Sequence, residues 1–244
     1  NIITSTSNSP QNKKPVSSQP IKKNKSLISH YYSILTQNQL DIFGREAFNN
    51  NNDSSMLFYN NPGKDYLLAT GDVIRVISRG LYTADEEVQI DNSGRINLSI
   101  VNPFFAYGKT LSEVENHIQK ELKTDDASAS VFVTLSAARL VQVKVTGEVN
   151  NPQTIAIPAY TPLSRVLSLV GGVTEMGSLR NITLTNTSGE KVKVDLYNFL
   201  KDTQNFKEPL ISTSSRIHVN DIGATVAVTG FVGSQRIFEL SPNT

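Results

Sequence analysis

Between residues 140 and 157, apolar and polar positions alternate, pause and alternate again. Val141, Val143 and Val145 are interleaved with Gln142 and Lys144, Gly147 breaks the run, Asn150-Asn151-Pro152 turns the chain, and Thr154-Ile155-Ala156-Ile157 returns it. Period-two alternation on both sides of a turn predicts a β-hairpin with one buried face. The period then lengthens. Thr161-Pro162 predicts a helix start, with a capping hydroxyl and then proline at the first helical position. Leu163, Val166, Leu167 and Val170 supply a buried stripe, and Gly171-Gly172 ends the helix. Strands are predicted at Ile182-Thr183-Leu184 and Val192-Lys193-Val194, split by a Ser188-Gly189 turn. Asp195 is placed to cap a short helix through Leu200, and Ile217-His218-Val219 reads as the closing strand.

An earlier stretch has its own pattern. Thr70-Gly71-Asp72 predicts a tight turn and Val73 to Ile77 a strand. Glu87-Val88-Gln89-Ile90 and Arg95-Ile96-Asn97-Leu98 alternate around Asp91-Asn92-Ser93-Gly94, which predicts a hairpin. Thr110-Leu111-Ser112-Glu113 is a capping box, in which hydroxyl and carboxylate each satisfy a free amide. Leu111, Val114, Ile118 and Leu122 form the stripe behind it, and Val131 to Leu135 reads as a further strand. We therefore expect an α+β chain, with a compact α+β domain at 65–138. A β-grasp domain at 139–222 follows from the order hairpin, helix, strands. Before them, 1–26 is Ser, Asn, Gln, Lys and Pro and reads as a flexible linker. Residues 27–64 read as a helix and connecting segment, with Leu27, Tyr31, Ile34 and Leu35 at helical spacing and Phe43 and Phe48 as anchors to the next domain.

One motif occurs twice. Val143-Lys144-Val145-Thr146-Gly147-Glu148-Val149 is echoed by Val226-Ala227-Val228-Thr229-Gly230-Phe231-Val232, and each leads through a turn into an apolar strand, Arg236 to Leu240 in the second case. Residues 223–244 thus read as the first hairpin of a second β-grasp domain, and we expect the natural protein to continue beyond it.

Composition narrows the function. Twenty-three basic residues face 22 acidic ones in 244, a net charge of +1, which gives no reason to expect nucleic acid as a partner. There is no cysteine, so disulfides, thiolate metal sites and a lipidated cysteine are excluded within this sequence. No apolar run approaches the ~18 residues of a membrane helix. The chain starts at Asn1 rather than Met, so any signal peptide is expected to have been removed.

Catalytic constellations are not evident. His30, His117 and His218 are scattered and none has metal-motif spacing, so no metal site and no cofactor are expected. His117 reads as a surface residue of its helix and His218 as the polar face of a strand. Asp85-Glu86-Glu87 reads as a loop before a strand in preference to a cation site, and Asp125-Asp126 as turn residues. Within Ser178-Leu179-Arg180-Asn181, Arg180 is the candidate ligand-binding residue. It is read as holding an acidic sugar or a neighbouring subunit's carboxylate, or else as stabilising its own turn. Tyr107, Tyr160, Tyr197 and Phe231 are candidates for stacking on sugars, each with a packing alternative.

These residues resemble the outer-membrane polysaccharide export family. The resemblance rests on Asp65 to Ile74, on the hairpin through Asp91 to Ile96, and on Thr110-Leu111-Ser112-Glu113, which match the export-signature domain. Val143 to Asp221 resembles the family's soluble-ligand-binding β-grasp (SLBB) module. The most specific part is Gly171-Gly172-Val173, Gly177 to Ile182 and Asp195 to Leu200. The segment Phe43 to Phe48 also resembles what precedes the export domain in longer members. The chain departs from the family at turns: Ala69-Thr70-Gly71-Asp72 replaces a Pro-Gly-Asp turn, Pro152-Gln153 a Pro-Gly, and Ser214-Ser215-Arg216 a second Gly-Asp turn. The resemblance implies a non-enzymatic role as the periplasmic part of a capsule or exopolysaccharide channel at the outer membrane of a Gram-negative bacterium. It implies a homo-oligomeric ring and an inner-membrane co-polymerase as partners, with polysaccharide as cargo and outer-membrane contact through parts not in this sequence. The rival reading is a glycan-binding module. A polysaccharide-modifying enzyme would need two carboxylates facing one groove, and no spacing supports that.

Overall fold

The computed structural model describes residues 27–48, 63–201 and 207–241. The linker expected over residues 1–26 and the part of the connecting segment at 49–62 lie outside the described residues.

The first described segment is helix α1 (Leu27–Thr36), followed after an extended stretch by a 3-10 turn, Arg45–Phe48. The helix ends where Gln37 takes a left-handed φ of 57°. The expected apolar stripe faces outward, with Leu27, Tyr31, Ile34 and Leu35 exposed. The side that packs carries Ile28 and Tyr32.

A first unit follows. Strands β1 (Val73–Arg79) and β2 (Ala84–Gln89) pair antiparallel, β3 (Arg95–Ile96) pairs with β4 (Phe104–Phe105), and helix α2 (Leu111–Asp125) leads to β5 (Ser130–Ala137) on the other edge of β1. The capping box forms as expected: Thr110 Oγ1 accepts the Glu113 amide at 3.1 Å, and the Glu113 carboxylate accepts the Thr110 amide at 2.7 Å. Leu111, Val114, Ile118 and Leu122 are buried with Ile74, Val76, Val131 and Val133 in one core. Burial of four such side chains contributes roughly 6–12 kcal/mol before entropy is counted.

Two expectations change here. The strand after Asp91–Gly94 does not return along β2. Asp91 Oδ1 accepts the amides of both Ser93 (2.8 Å) and Arg95 (2.9 Å), and the chain then swings to β4, which buries Ile96. The acidic run Asp85-Glu86-Glu87 is not a loop but lies within β2.

The second unit holds β6 (Leu140–Gly147), β7 (Gln153–Pro158), β8 (Thr161–Pro162), α3 (Leu163–Leu169), β9 (Gly177–Thr185), β10 (Lys191–Val194), α4 (Tyr197–Lys201), β11 (Leu210–Ile211) and β12 (Ser215–Asp221). Five strands form one sheet in the order β10-β9-β12-β6-β7. The strand that closes the unit in sequence, β12, lies inside the sheet. It is parallel to β6 and antiparallel to β9. One face of the sheet packs on α3 through Val143, Val145, Leu163, Val166, Ile182 and Ile217, all fully buried. The other face is open to solvent.

The start of α3 differs from expectation. Thr161 does not cap it: its hydroxyl donates to the Pro158 carbonyl at 2.6 Å, because Thr161 and Pro162 are held in a two-residue ladder with β11. The cap comes from far along the chain instead. The Glu208 carboxylate accepts the Ser164 amide, and the Pro209 carbonyl accepts the Leu163 amide at 3.1 Å. Asp195 does begin α4, accepting the Tyr197 amide at 2.9 Å.

The repeated motif forms a repeated structure. Strands β13 (Thr225–Val228) and β14 (Arg236–Glu239) pair in the register of β6 and β7: Val143 opposes Ile155 and Val226 opposes Phe238, both members displaced by the same 83 positions. The outer edge of β14 is covered by the extended segment before the 3-10 turn. The Phe43 amide donates to the Ile237 carbonyl (2.9 Å), and the Ile237 amide donates to the Asp41 carbonyl (3.0 Å). Phe43 and Phe48 are anchors, but not to the first unit. Phe43 lies 5.1 Å from the Phe238 ring and 5.2 Å from Tyr197, while Phe48 sits in the β-grasp core.

Candidate functional site

Two buried polar junctions tie these parts together. In the first, the turn before β1 carries Asp72 into the interior, fully buried. Its carboxylate accepts the Ala69 amide (2.7 Å), the Tyr66 hydroxyl (2.9 Å) and the Arg139 amide (2.7 Å), and it pairs with the Arg139 guanidinium at 3.1 Å. Arg139 then donates to the Ser212 carbonyl at 2.8 Å, and the Tyr66 ring lies 4.7 Å from that of Tyr160. One carboxylate thereby links the first unit to the second. Burial, and after it the Asp72 charge, pushes the Tyr66 phenol well above its ordinary range.

The second junction centres on Glu239, at the end of β14 and 4% exposed. It accepts from the Ser178 hydroxyl (2.5 Å), the Leu179 amide (3.1 Å) and the Gly223 amide (3.2 Å). Its own amide donates to the Tyr197 hydroxyl at 2.8 Å. Arg45 reaches the Gly177 carbonyl from the 3-10 turn, and burial lowers its pKa against the opposing pull of the Glu239 charge. Hairpin, β-grasp unit and N-terminal segment all meet here.

Arg180 belongs to this junction. Its Nε donates to Asp195 (3.1 Å), its Nη1 donates to the Glu239 carbonyl (3.2 Å), and its guanidinium lies 4.8 Å from the Tyr197 ring centre. Among the other residues singled out, Tyr197 is buried in the junction, Tyr160 packs on Tyr66, Tyr107 is half exposed beside Phe105, and Phe231 is fully exposed at the second hairpin's turn. His117 stands partly exposed on its helix, 4.1 Å from the Phe104 ring and 3.5 Å from Glu121. The β2 acids do not converge: Asp85 pairs with Arg75 at 2.8 Å, Glu86 accepts from Ser99, and Glu87 from Ser136. Asp126 ends α2 with its amide donating to the Leu122 carbonyl at 3.0 Å, and its carboxylate accepts the Leu81 and Ser128 amides. No group of three metal-ligating side chains occurs among the described residues.

The open face of the five-stranded sheet is the third feature. The ladder registers place its side chains in rows. Lys191, Thr185, Arg216 and Lys144 form one row across β10, β9, β12 and β6. Lys193, Thr183, His218 and Thr146 form the next, with the His218 ring 3.0 Å from the Thr146 hydroxyl. Together with Asn220 these rows, Lys193 at the edge excepted, line a shallow recess of about 400 Å³. The pairing of His218 with Thr146 agrees with its reading as the polar face of a strand.

Sequence reasoning missed both junction carboxylates. Glu239 carried a signal: in a period-two strand it shares the face of Ile237, which is fully buried, so a buried glutamate was legible in the alternation. Asp72 carried only its place in a turn.

Known proteins match the same regions. Residues 60–136 match the family model described as Polysaccharide biosynthesis/export protein, and residues 142–195 match the SLBB domain. Two curated relatives from Escherichia coli, both named polysialic acid transport protein KpsD, are 33% identical over 162 residues. The match covers 65% of this chain and 29% of each relative's length. The chain belongs to the polysaccharide export protein family.

Proposed function

We propose that this chain is the periplasmic part of an outer-membrane polysaccharide export channel. It acts as an oligomeric conduit and a docking scaffold for an inner-membrane co-polymerase, and makes or breaks no bond. The observation that carries this reading is the serial build: an export-type unit, an SLBB unit and a second hairpin in the same register, joined by buried polar junctions. A channel wall built of stacked modules needs such rigid coupling between them. Exposed apolar side chains supply the surfaces for subunit contact. On the first unit these are Leu81, Tyr82, Phe105 and Phe132, and on α1 they are Leu27, Tyr31, Ile34 and Leu35. A ring uses two different faces of each subunit, and these two sets of exposed residues lie on separate elements. No helix among the described residues is long and apolar enough to cross a membrane. The relatives' name suggests a polymer of acidic sugars as cargo. Light scattering on the full-length protein tests the proposal: a discrete ring-sized oligomer is expected, and a monomer at all concentrations would refute the conduit. Phe132→Glu is expected to weaken the oligomer without lowering the melting temperature.

A further inference from the structure

We infer that the open face of the β-grasp sheet is a binding surface for an anionic polysaccharide, recognised through Lys144, Lys191, Lys193 and Arg216. The inference rests on the export reading for its choice of polymer, but its physical grounds are local.

The four cations are exposed, and none makes an ion pair with a described residue. Elsewhere in the chain Arg75, Arg139, Arg180 and Arg236 each have a carboxylate partner. On this face no partner is on offer, because no aspartate or glutamate lines the recess, and Asp221, the exposed acid of β12, lies at the strand's far end beyond Asn220 and pairs with no described cation. Arg216 and Lys144 are direct cross-strand neighbours in the parallel ladder. Like charges directly opposite destabilise a sheet, so the arrangement works against folding and calls for a compensating anion. Adjacent strands are ~4.8 Å apart, so the row from Lys191 to Lys144 spreads positive charge over ~14 Å. That is the reach of a polymer, not of one small ion.

The groups between the cations complete the description. Thr146, Thr183, Thr185, His218 and Asn220 offer donors and acceptors at the height of sugar hydroxyls and carboxylates. The solvent-facing positions carry no aromatic residue, so the face lacks the flat apolar platform on which neutral sugars stack. The recess is open and shallow, which suits a chain passing across it. Recognition by charge without stacking points to a polymer bearing carboxylate or phosphate groups. It also points to fast, salt-sensitive exchange in place of tight capture, since exposed ion pairs are individually weak.

The test is isothermal titration of the whole chain with polysialic acid, with dextran as the neutral polymer and phosphatidylglycerol vesicles as a non-glycan anion. Binding to polysialic acid that weakens with added salt is expected, with no heat from dextran. Combined Lys144→Gln, Lys191→Gln, Lys193→Gln and Arg216→Gln substitution should weaken it about 10- to 100-fold while the melting temperature holds or rises, since the opposed like charges are gone. Lys120→Gln with Lys123→Gln, on the exposed side of α2, should leave it unchanged. Three results would each overturn the inference: no binding by the wild-type chain, equal losses in the two variants, or preference for the vesicles over the polymer. Deleting the gene in its host and measuring surface polysaccharide reports separately on the export reading. Export lost on deletion but intact in the four-site variant leaves the conduit standing and removes the binding face. Export unaffected by deletion, with polymer still bound in vitro, removes the conduit and leaves a glycan-binding module.

Discussion

Asp72 does more per atom than any other side chain in the first unit. Its two oxygens collect two amides, a phenol and a guanidinium with no access to water. Removing one member of such a set leaves the rest desolvated and unpaired, and that is what destabilises. Asp72→Ala is therefore expected to cost about 3–5 kcal/mol, measured by chemical denaturation, and Asp72→Leu with Arg139→Met recovers only part of the loss, because the Ala69 and residue-139 amides and the Tyr66 phenol stay without an acceptor. Glu208 behaves differently, because its partner is only the start of α3. Burial outweighs the Ser164 amide and raises its pKa above the ordinary 4.5. A raised carboxyl pKa means that the folded state prefers the protonated form. The stabilisation is present at low pH and is lost as pH rises through the ordinary value and then the folded one. Glu208→Gln keeps an acceptor and removes the charge. It should melt with the wild type near pH ~4 and above it near pH ~7. Equal melting temperatures at both values would show that the carboxylate carries no burial penalty.

The two hairpins show how one local pattern can serve two surroundings. Gly147 and Gly230 hold the same place in the repeat, with φ of 82° and 94°. A β-carbon at Gly147 would stand 2.0 Å from the Val219 carbonyl, because β12 closes over that turn, whereas at Gly230 it would meet nothing within 4 Å. Gly230→Ala should then cost only the left-handed strain, about 1–2 kcal/mol. Gly147→Ala should cost clearly more, as β12 must shift; equal losses would mean that the close approach relaxes freely. The same contrast marks what was legible beforehand. Capping box, α2 stripe and both hairpins follow from period and turn chemistry within about fifteen residues, and they formed as read. The α3 cap failed because Glu208 competes from 44 residues away, and the β2–β3 hairpin failed because Arg95 and Ile96, beyond the Asp91 turn, pair with β4. On α1 the period identified the helix but not its buried side, since Ile28 and Tyr32 are chosen by a hairpin some 190 positions later.

At the scale of the whole molecule, the N-terminal segment and the last hairpin form one body with the SLBB unit, though sequence places them at opposite ends. The tie is Glu239, which meets Ser178 across 61 positions, beside the β14 edge covered by residues 41–43. Such contacts leave no local trace, and so the sequence leaves Arg180 open between an acidic ligand and its own turn, whereas its guanidinium is engaged by Asp195 and the Glu239 carbonyl. A scaffold that transmits position from one module to the next needs these fasteners to be stronger than the hairpin they hold, because a two-stranded ribbon is marginal alone. Glu239→Ala strips acceptors from Ser178, Leu179 and Gly223 and leaves Arg45 without its neighbouring charge. The expected result is regional. Amides of β13, β14 and residues 41–43 should exchange with deuterium at least ~10-fold faster, while those of β1 and β5 keep their protection. Uniform acceleration across both units would mean that the chain opens as a single cooperative body, and that the Glu239 junction is one bond among many instead of the fastener of the second hairpin.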